Sequence, residues 1–393
     1  MSSKTLRNLI FLLLFSLGNL NAQSKTQSAE DPTAEKHHWI YSDIVQDSFC
    51  VKLFLPENYD EKKERKYPVI YMTDGDRYFG LVTDFVYSLL HREDIDVIVV
   101  GIGYGTKSQN NLKRRRDFKT KPESDKIIGA VAFREFIKKE LFPHIESKYH
   151  IDHTDRTLMG WSMGGTFTMR TMFKAPSSFK NYLVLSGRLN YEEDPLLEIE
   201  KLYSQENEDL KVRLFYSMGN ADRRYEQFPT FVRNLNSRGY QNLKFESHEL
   251  EGKSHDIIAL SEGLGLGLQH LFIRKDITEK LLEVLHTKGV KATVEVYRKM
   301  KEEQFDEYDF RERRLNELGY YLIEQGRVEE SIEIFKLNAE AYPKSYNVYD
   351  SLGESYFLHK NYEMALLNYR KSLEINPENN NAEEMIRKLN AKR

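Results

Sequence analysis

Three residues of the types that break acyl bonds stand in a usable order along this chain. Ser162 lies in Gly160-Trp161-Ser162-Met163-Gly164-Gly165, after the apolar run Arg156-Thr157-Leu158-Met159 and before the helical stretch 166–173. A Gly-x-Ser-x-Gly on a strand that turns sharply into a helix lifts the serine hydroxyl out of the sheet, and small residues at 160 and 164 avoid clashes. The turn also sets a helix N-terminus behind the serine, with the Met163 amide where an oxyanion would form. A serine hydroxyl is nearly inert until a base takes its proton, and that base is normally a histidine held by a carboxylate. Asp222 follows the apolar run Val212-Arg213-Leu214-Phe215-Tyr216, and His255 follows the run 243–250. Both are therefore expected just past strand C-termini, in the order Ser162, Asp222, His255. Glu226, four residues beyond Asp222, is the alternative acid, whereas Asp256 is too close in sequence to His255 to reach its ring. Of the eleven histidines, His144 and His248 sit in helical or strand-like runs, His37 and His38 precede the core, and His286 and His359 belong to a helical region.

The elements that must position these residues follow from hydrophobic patterning. Between about Trp39 and Arg274, near-continuous apolar runs such as Pro68–Met72, Asp96–Gly101 and Tyr182–Leu185 alternate with helical stretches. Strands apolar on both faces are what a parallel sheet covered by helices demands. In 127–141, Ala130, Phe133, Phe136, Ile137 and Leu141 recur at three- and four-residue intervals, which predicts a helix. The alternation indicates an α/β domain over 39–274. After Arg274 the β-runs stop. Leu318-Gly319 recurs as Leu352-Gly353, Leu322 as Tyr356, Ser331 as Ala365, Phe335 as Tyr369 and Pro343 as Pro377, all at an offset of 34. That period and pattern resemble the tetratricopeptide repeat, a pair of antiparallel helices with small residues where they cross. Two units are expected at 313–346 and 347–380, a degenerate first unit at 276–312, where Gly289 matches Gly326, and a capping helix at 381–392.

Composition bounds the function. The 393 residues carry 58 Lys and Arg against 61 Asp and Glu, a net charge of −3, so no global field favours nucleic acid or an anionic membrane. With 24 Tyr and 22 Phe the chain is expected to fold. A single cysteine, Cys50, excludes an intramolecular disulfide framework and a cysteine-rich metal site. No glycine-rich cofactor turn and no metal-ligand spacing is evident, and Gly263-Leu264-Gly265-Leu266-Gly267 reads as helix packing rather than a phosphate cradle. Residues 1–22 combine Lys4 and Arg7, the apolar run 9–15 and a terminal Ala22, the order of a secretory signal peptide. The alternative is an uncleaved anchor. Residues 23–38 read as a disordered lead-in, and the mature protein is expected to be periplasmic or secreted.

Several segments together carry a family likeness: Tyr67 through Asp76, Val99-Val100-Gly101-Ile102-Gly103, Arg116-Asp117-Phe118, Glu140-Leu141-Phe142-Pro143 and the Ser162 motif. In order, over about 40–274, they resemble the "Putative esterase" family of siderophore, feruloyl and S-formylglutathione hydrolases and mycolyltransferases. The siderophore-esterase branch is the most similar. The resemblance implies an α/β-hydrolase fold, Ser162 as nucleophile, His255 as base, no cofactor, and a second oxyanion donor from the Asp74-Gly75-Asp76 loop, namely the Asp76 amide. Arg114, Arg115 and Arg116 are expected in a loop after a strand C-terminus, where guanidinium groups could pair with an anionic or catecholate substrate. The alternative is a solvated basic loop with Asp117 turned inward. Arg115, Arg116 and Trp161 are taken as the substrate-contacting set. These expectations describe an exported serine ester hydrolase acting on a small-molecule ester. The alternatives are an acyltransferase using the same residues and a non-catalytic protein that binds a protein or peptide through its repeats.

Overall fold

The computed structural model describes residues 36–60, 65–119, 129–189, 196–305 and 307–391. The expected signal peptide lies outside the described residues. The chain forms two compact units that divide between Leu264 and Gly265, inside the helix Ile257–Phe272, rather than at the compositional break near 274.

The first unit is built on an eight-stranded sheet of order β1-β2-β4-β3-β5-β6-β7-β8. Its strands are β1 (Lys36–Ser42), β2 (Asp47–Phe54), β3 (Tyr67–Met72), β4 (Ile98–Gly103), β5 (Ile151–Trp161), β6 (Asn181–Leu185), β7 (Arg213–Gly219) and β8 (Lys244–Leu250). From β4 to β8 all neighbours run parallel, while β1 pairs with β2 and β2 with β4 antiparallel. Every residue of β4, β6 and β7 is buried, the burial expected of central strands covered on both faces. β1 begins at Lys36, within the stretch expected to be a lead-in, and its backbone is tied into the sheet by the β2 ladder.

The crossover helices include α1 (Gly75–Phe85), α2 (Lys107–Phe118), α3 (Ala130–Phe136), α4 (Met163–Lys174), α5 (Leu196–Glu206) and α6 (Phe228–Arg238), and α7 (Ile257–Phe272) follows the last strand. The helix expected over 127–141 is not uniform. After α3 the chain widens into a π-helical turn at Ile137–Leu141 and continues helically over Phe142–Glu146. Pro143 has no N–H for the carbonyl four residues back, and a wider turn accommodates that loss. The periodic residues Ala130, Phe133, Phe136, Ile137 and Leu141 are all buried.

In the second unit, α8 (Thr278–Glu303), α9 (Glu312–Glu324), α10 (Val328–Ala341), α11 (Tyr346–Leu358), α12 (Tyr362–Ile375) and α13 (Asn380–Ala391) follow one another. Where α9 meets α10, a Cβ on Gly319 would lie 2.5 Å from the Phe335 ring, and on Gly353 a Cβ would lie 3.1 Å from Tyr369. These are the small-residue crossings that the repeat pattern requires. Gly289 breaks α8 with φ 79° and ψ 177°, and positive φ also occurs in the turns after α9 and α11, at Gly326 (φ 72°) and Lys360 (φ 64°).

Candidate active site

Ser162 is the hinge between β5 and α4. Its backbone is strained for a non-glycine residue, φ 58° and ψ −119°, and its N–H donates to Leu185 O on β6 at 2.9 Å. Neither flanking glycine could carry a side chain without displacing its neighbours. A Cβ on Gly160 would overlap the Gly164 carbonyl and lie 2.7 Å from Gly165 N, and one on Gly164 would overlap the Thr73 hydroxyl. The turn after β3 therefore abuts the serine turn.

The turn after β3 is itself held tightly. Asp74 is left-handed at φ 60°, buried, and accepts from Asn110 Nδ2 at 2.9 Å and Arg114 Nη2 at 2.8 Å. The Asp76 carboxylate accepts from the amides of Tyr104 at 2.5 Å and Gly105 at 3.0 Å, which ties the start of α1 to the end of β4. Burial pushes the Asp76 carboxyl above its ordinary value despite those two amides. The backbone N–H groups of Asp76 and Met163 lie in the first turns of α1 and α4, where a helix supplies no internal acceptor.

β7 and β8 deliver the other two residues. The turn after β7 is laced to the turn after β8: Ala221 N donates to Lys253 O at 3.0 Å, and Gly252 N donates to Asn220 Oδ1 at 2.8 Å. These bonds bring the His255 ring between Ser162 and Asp222. His255 Nε2 is 2.9 Å from Ser162 Oγ, and Nδ1 is 3.0 Å from Asp222 Oδ2, within ion-pair range though off the line of an ideal hydrogen bond. The Asp222 side chain is fully buried and that of His255 is 23% exposed. Glu226, the alternative acid, is exposed. The buried Tyr216 phenol is pushed well above its ordinary value by burial and by the Asp222 charge.

The expected substrate-contacting set is redistributed. Arg114, Arg115 and Arg116 lie on α2, not in a loop. Arg116 holds Asp117 with Nε at 2.6 Å and Nη2 at 2.9 Å, and Asp47 with Nη1 at 2.6 Å, so each of its three nitrogens is engaged within the fold. Asp117 is indeed turned inward, where Tyr104 Oη also donates to it at 2.8 Å. Burial raises the Asp117 carboxyl against the pull of Arg116. Arg115 is exposed. Trp161 stands beside the serine as expected, but one face of its indole is stacked on the His255 ring, centroids 4.5 Å apart at 10°, and Tyr78 meets it edge-on at 5.1 Å.

Arg224 is a residue that the sequence alone does not single out. It grips Asp222 with Nε to Oδ1 at 2.8 Å and Nη2 to Oδ2 at 2.7 Å, while its backbone N–H reaches Oδ1 at 3.0 Å. An Asp-x-Arg spacing just after a strand is the available signal, yet Arg223 stands beside it with an equal claim.

Residues 42–256, more than half of the chain, match the family described as "Putative esterase", and residues 346–379 match a tetratricopeptide repeat. The ferri-bacillibactin esterase BesA of Bacillus subtilis is 31% identical over 148 residues, which are 34% of this chain and 51% of that protein. The chain thus spans about half the length of that relative. Among solved structures, the BES protein from Bacillus cereus aligns with a TM-score of 0.53 at 25% identity, over 60% of this chain and 95% of that one. An IroE-like serine hydrolase from Shewanella oneidensis shares the fold with a TM-score of 0.58 at 22% identity, over 78% and 99% of the two chains. The chain belongs to the putative esterase family and carries a tetratricopeptide repeat in its helical second unit.

Proposed function

We propose that this chain is an exported serine carboxylic-ester hydrolase in which Ser162 is the nucleophile, His255 the general base and Asp222 the acid that orients it. The observation that supports the reading is a single imidazole with one nitrogen 2.9 Å from Ser162 Oγ and the other 3.0 Å from Asp222 Oδ2. In the first half-reaction the Ser162 proton passes to His255 Nε2 as Oγ bonds to the ester carbonyl carbon. The carbonyl electron pair moves onto its oxygen, which the Met163 and Asp76 amides stabilise. Collapse expels the alcohol, which takes the proton from His255 and leaves an acyl-serine. Water then repeats the sequence and frees the acid. No metal or cofactor takes part. The substrate is a small-molecule ester, and siderophore esters come first because a relative is named a siderophore esterase. The helical unit is proposed to bind a protein or peptide, and the leader 1–22 to direct export.

The test is hydrolysis of a short-chain nitrophenyl ester together with fluorophosphonate labelling, in the wild type and in Ser162→Ala. Turnover should fall roughly 10⁴-fold or more and labelling should vanish, with the fold retained. Near-normal turnover in the variant would sink the reading.

A further inference from the structure

We propose that Arg224 is a positioning residue for catalysis: by balancing the buried Asp222 carboxylate, it leaves His255 neutral at rest and able to accept the Ser162 proton. The inference rests on the serine-hydrolase reading above. A carboxylate with no solvent exposure is costly unless a counter-charge and hydrogen bonds compensate it. Asp222 has two cationic or potentially cationic neighbours, and they meet on one oxygen: Oδ2 lies 2.7 Å from Arg224 Nη2 and 3.0 Å from His255 Nδ1. Were His255 the sole partner, the pair would lower its energy by charging the imidazole, and an imidazolium cannot take a proton from serine. With the guanidinium already in place, the pair Asp222–Arg224 is neutral as a unit. His255 then gains orientation from Oδ2 without being held as a cation. The guanidinium is well suited to this, since its planar fork engages both carboxylate oxygens and stays charged at any working pH.

The other groups around the pair do not supply this charge. Tyr216 faces Asp222 as a neutral, buried phenol. His255 is met by the Ser162 hydroxyl and by the Trp161 ring. Asp256 accepts from the amides of Ile258 at 2.9 Å and Ala259 at 3.1 Å, and Lys253 lies 3.6 Å from Glu262.

The experiment compares pH profiles of kcat/KM for a nitrophenyl ester in the wild type, Arg224→Gln and Arg224→Lys, with thermal unfolding of each. In Arg224→Gln the acidic limb should move to higher pH; for a move of about one unit, kcat/KM falls about tenfold at pH values below both limbs and about threefold near neutrality, and activity should recover as pH rises. Arg224→Lys keeps the charge and should keep the limb near its wild-type position. A residue that merely braced the turn would lower the whole profile without moving the limb, and that result overturns the inference. Should Arg224→Gln fail to fold, ¹⁵N NMR of His255 in the wild type decides: a neutral ring at pH 7 supports the inference and an imidazolium overturns it. A wild type that neither hydrolyses the ester nor takes the phosphonate refutes the serine-hydrolase reading itself. A moved or unmoved limb in an active, labelled enzyme bears on Arg224 alone.

Discussion

Gly164→Ala separates the two halves of the oxyanion proposal from the nucleophile. The new methyl would overlap the Thr73 hydroxyl and lie 3.0 Å from Asp74 Oδ2 and 3.3 Å from Thr73 Cβ. The backbone at 164 is ordinary α-helix, so alanine brings no conformational penalty and the change is purely steric. Thr73 is buried and β-branched, which limits relief by rotation of its side chain. Asp74 in turn is clamped by Asn110 and Arg114. The 73–76 turn must therefore recede as a body, by on the order of 1 Å to restore ordinary van der Waals separation. A displacement of that size at a catalytic donor costs about 10²-fold, and outright loss of one oxyanion donor about 10²–10³-fold in kcat. Overpacking should also cost about 1–3 kcal/mol of stability. The assay is ester hydrolysis beside the rate of fluorophosphonate labelling and thermal unfolding. We expect kcat to fall about a hundredfold while Ser162 still becomes labelled to completion, because His255 approaches from the β7 and β8 turns. A kcat within about threefold of wild type, together with the lowered stability, would refute the coupling between the 73–76 turn and the oxyanion.

Two further outcomes concern groups outside the reacting atoms. Arg116→Ala leaves the Asp117 carboxyl buried without its guanidinium and leaves Asp47 with Lys113 as its remaining cationic partner, so stability should fall, near the lower end of the ~3–5 kcal/mol seen when a buried pair is broken, because Arg116 is itself 26% exposed. KM for an anionic ester should stay unchanged, and a raised KM with unaltered denaturant midpoint would restore Arg116 as a substrate contact. In the second unit, burial pushes the Asp309 carboxyl up, but hydrogen bonds from Arg311 and Arg314 outweigh it and hold the group well below the usual carboxylate range. A depressed folded value stabilises the fold above the unfolded value of about 4, and that contribution is lost as pH falls through the folded value. Hydrogen exchange in α9 of the full chain should therefore quicken as pH drops below about 4, after correction for intrinsic rates, and Asp309→Asn should remove that dependence while exchanging faster at pH 7. Equal protection at both pH values in the unmodified protein would count against it.

What was legible in the sequence is what a strand or a turn decides locally. β4, β6 and β7 could be read because burial on both faces leaves uninterrupted apolar runs, and Ser162 because its turn has no room for side chains at 160 and 164. β1 escaped because it is an edge strand: Trp39 and Tyr41 are exposed, and its stability comes from the ladder to β2. Polar pairing was the harder case. The basic run 114–116 reads as a solvated or ligand-binding loop when only its neighbours are considered, yet Arg114 ends on Asp74, 40 residues away, and Arg116 on Asp47, 69 residues away. The stacking of Trp161 on His255 has no local sign either, because its partner lies on the turn after another strand. The same physics explains why Asp222 could be named and Arg224 could not. A carboxylate just past a strand C-terminus follows from topology, since the sheet edge collects such residues. Which of two adjacent arginines bends back to meet it depends on the handedness of a six-residue turn, 219–224, whose amides are fixed by hydrogen bonds to the neighbouring turn at 250–253. Charge identity is written locally. Charge partnership is settled only when separate strand ends are brought to one edge, and that is why the partners of Asp74, Asp47 and Asp222 emerge only with the fold.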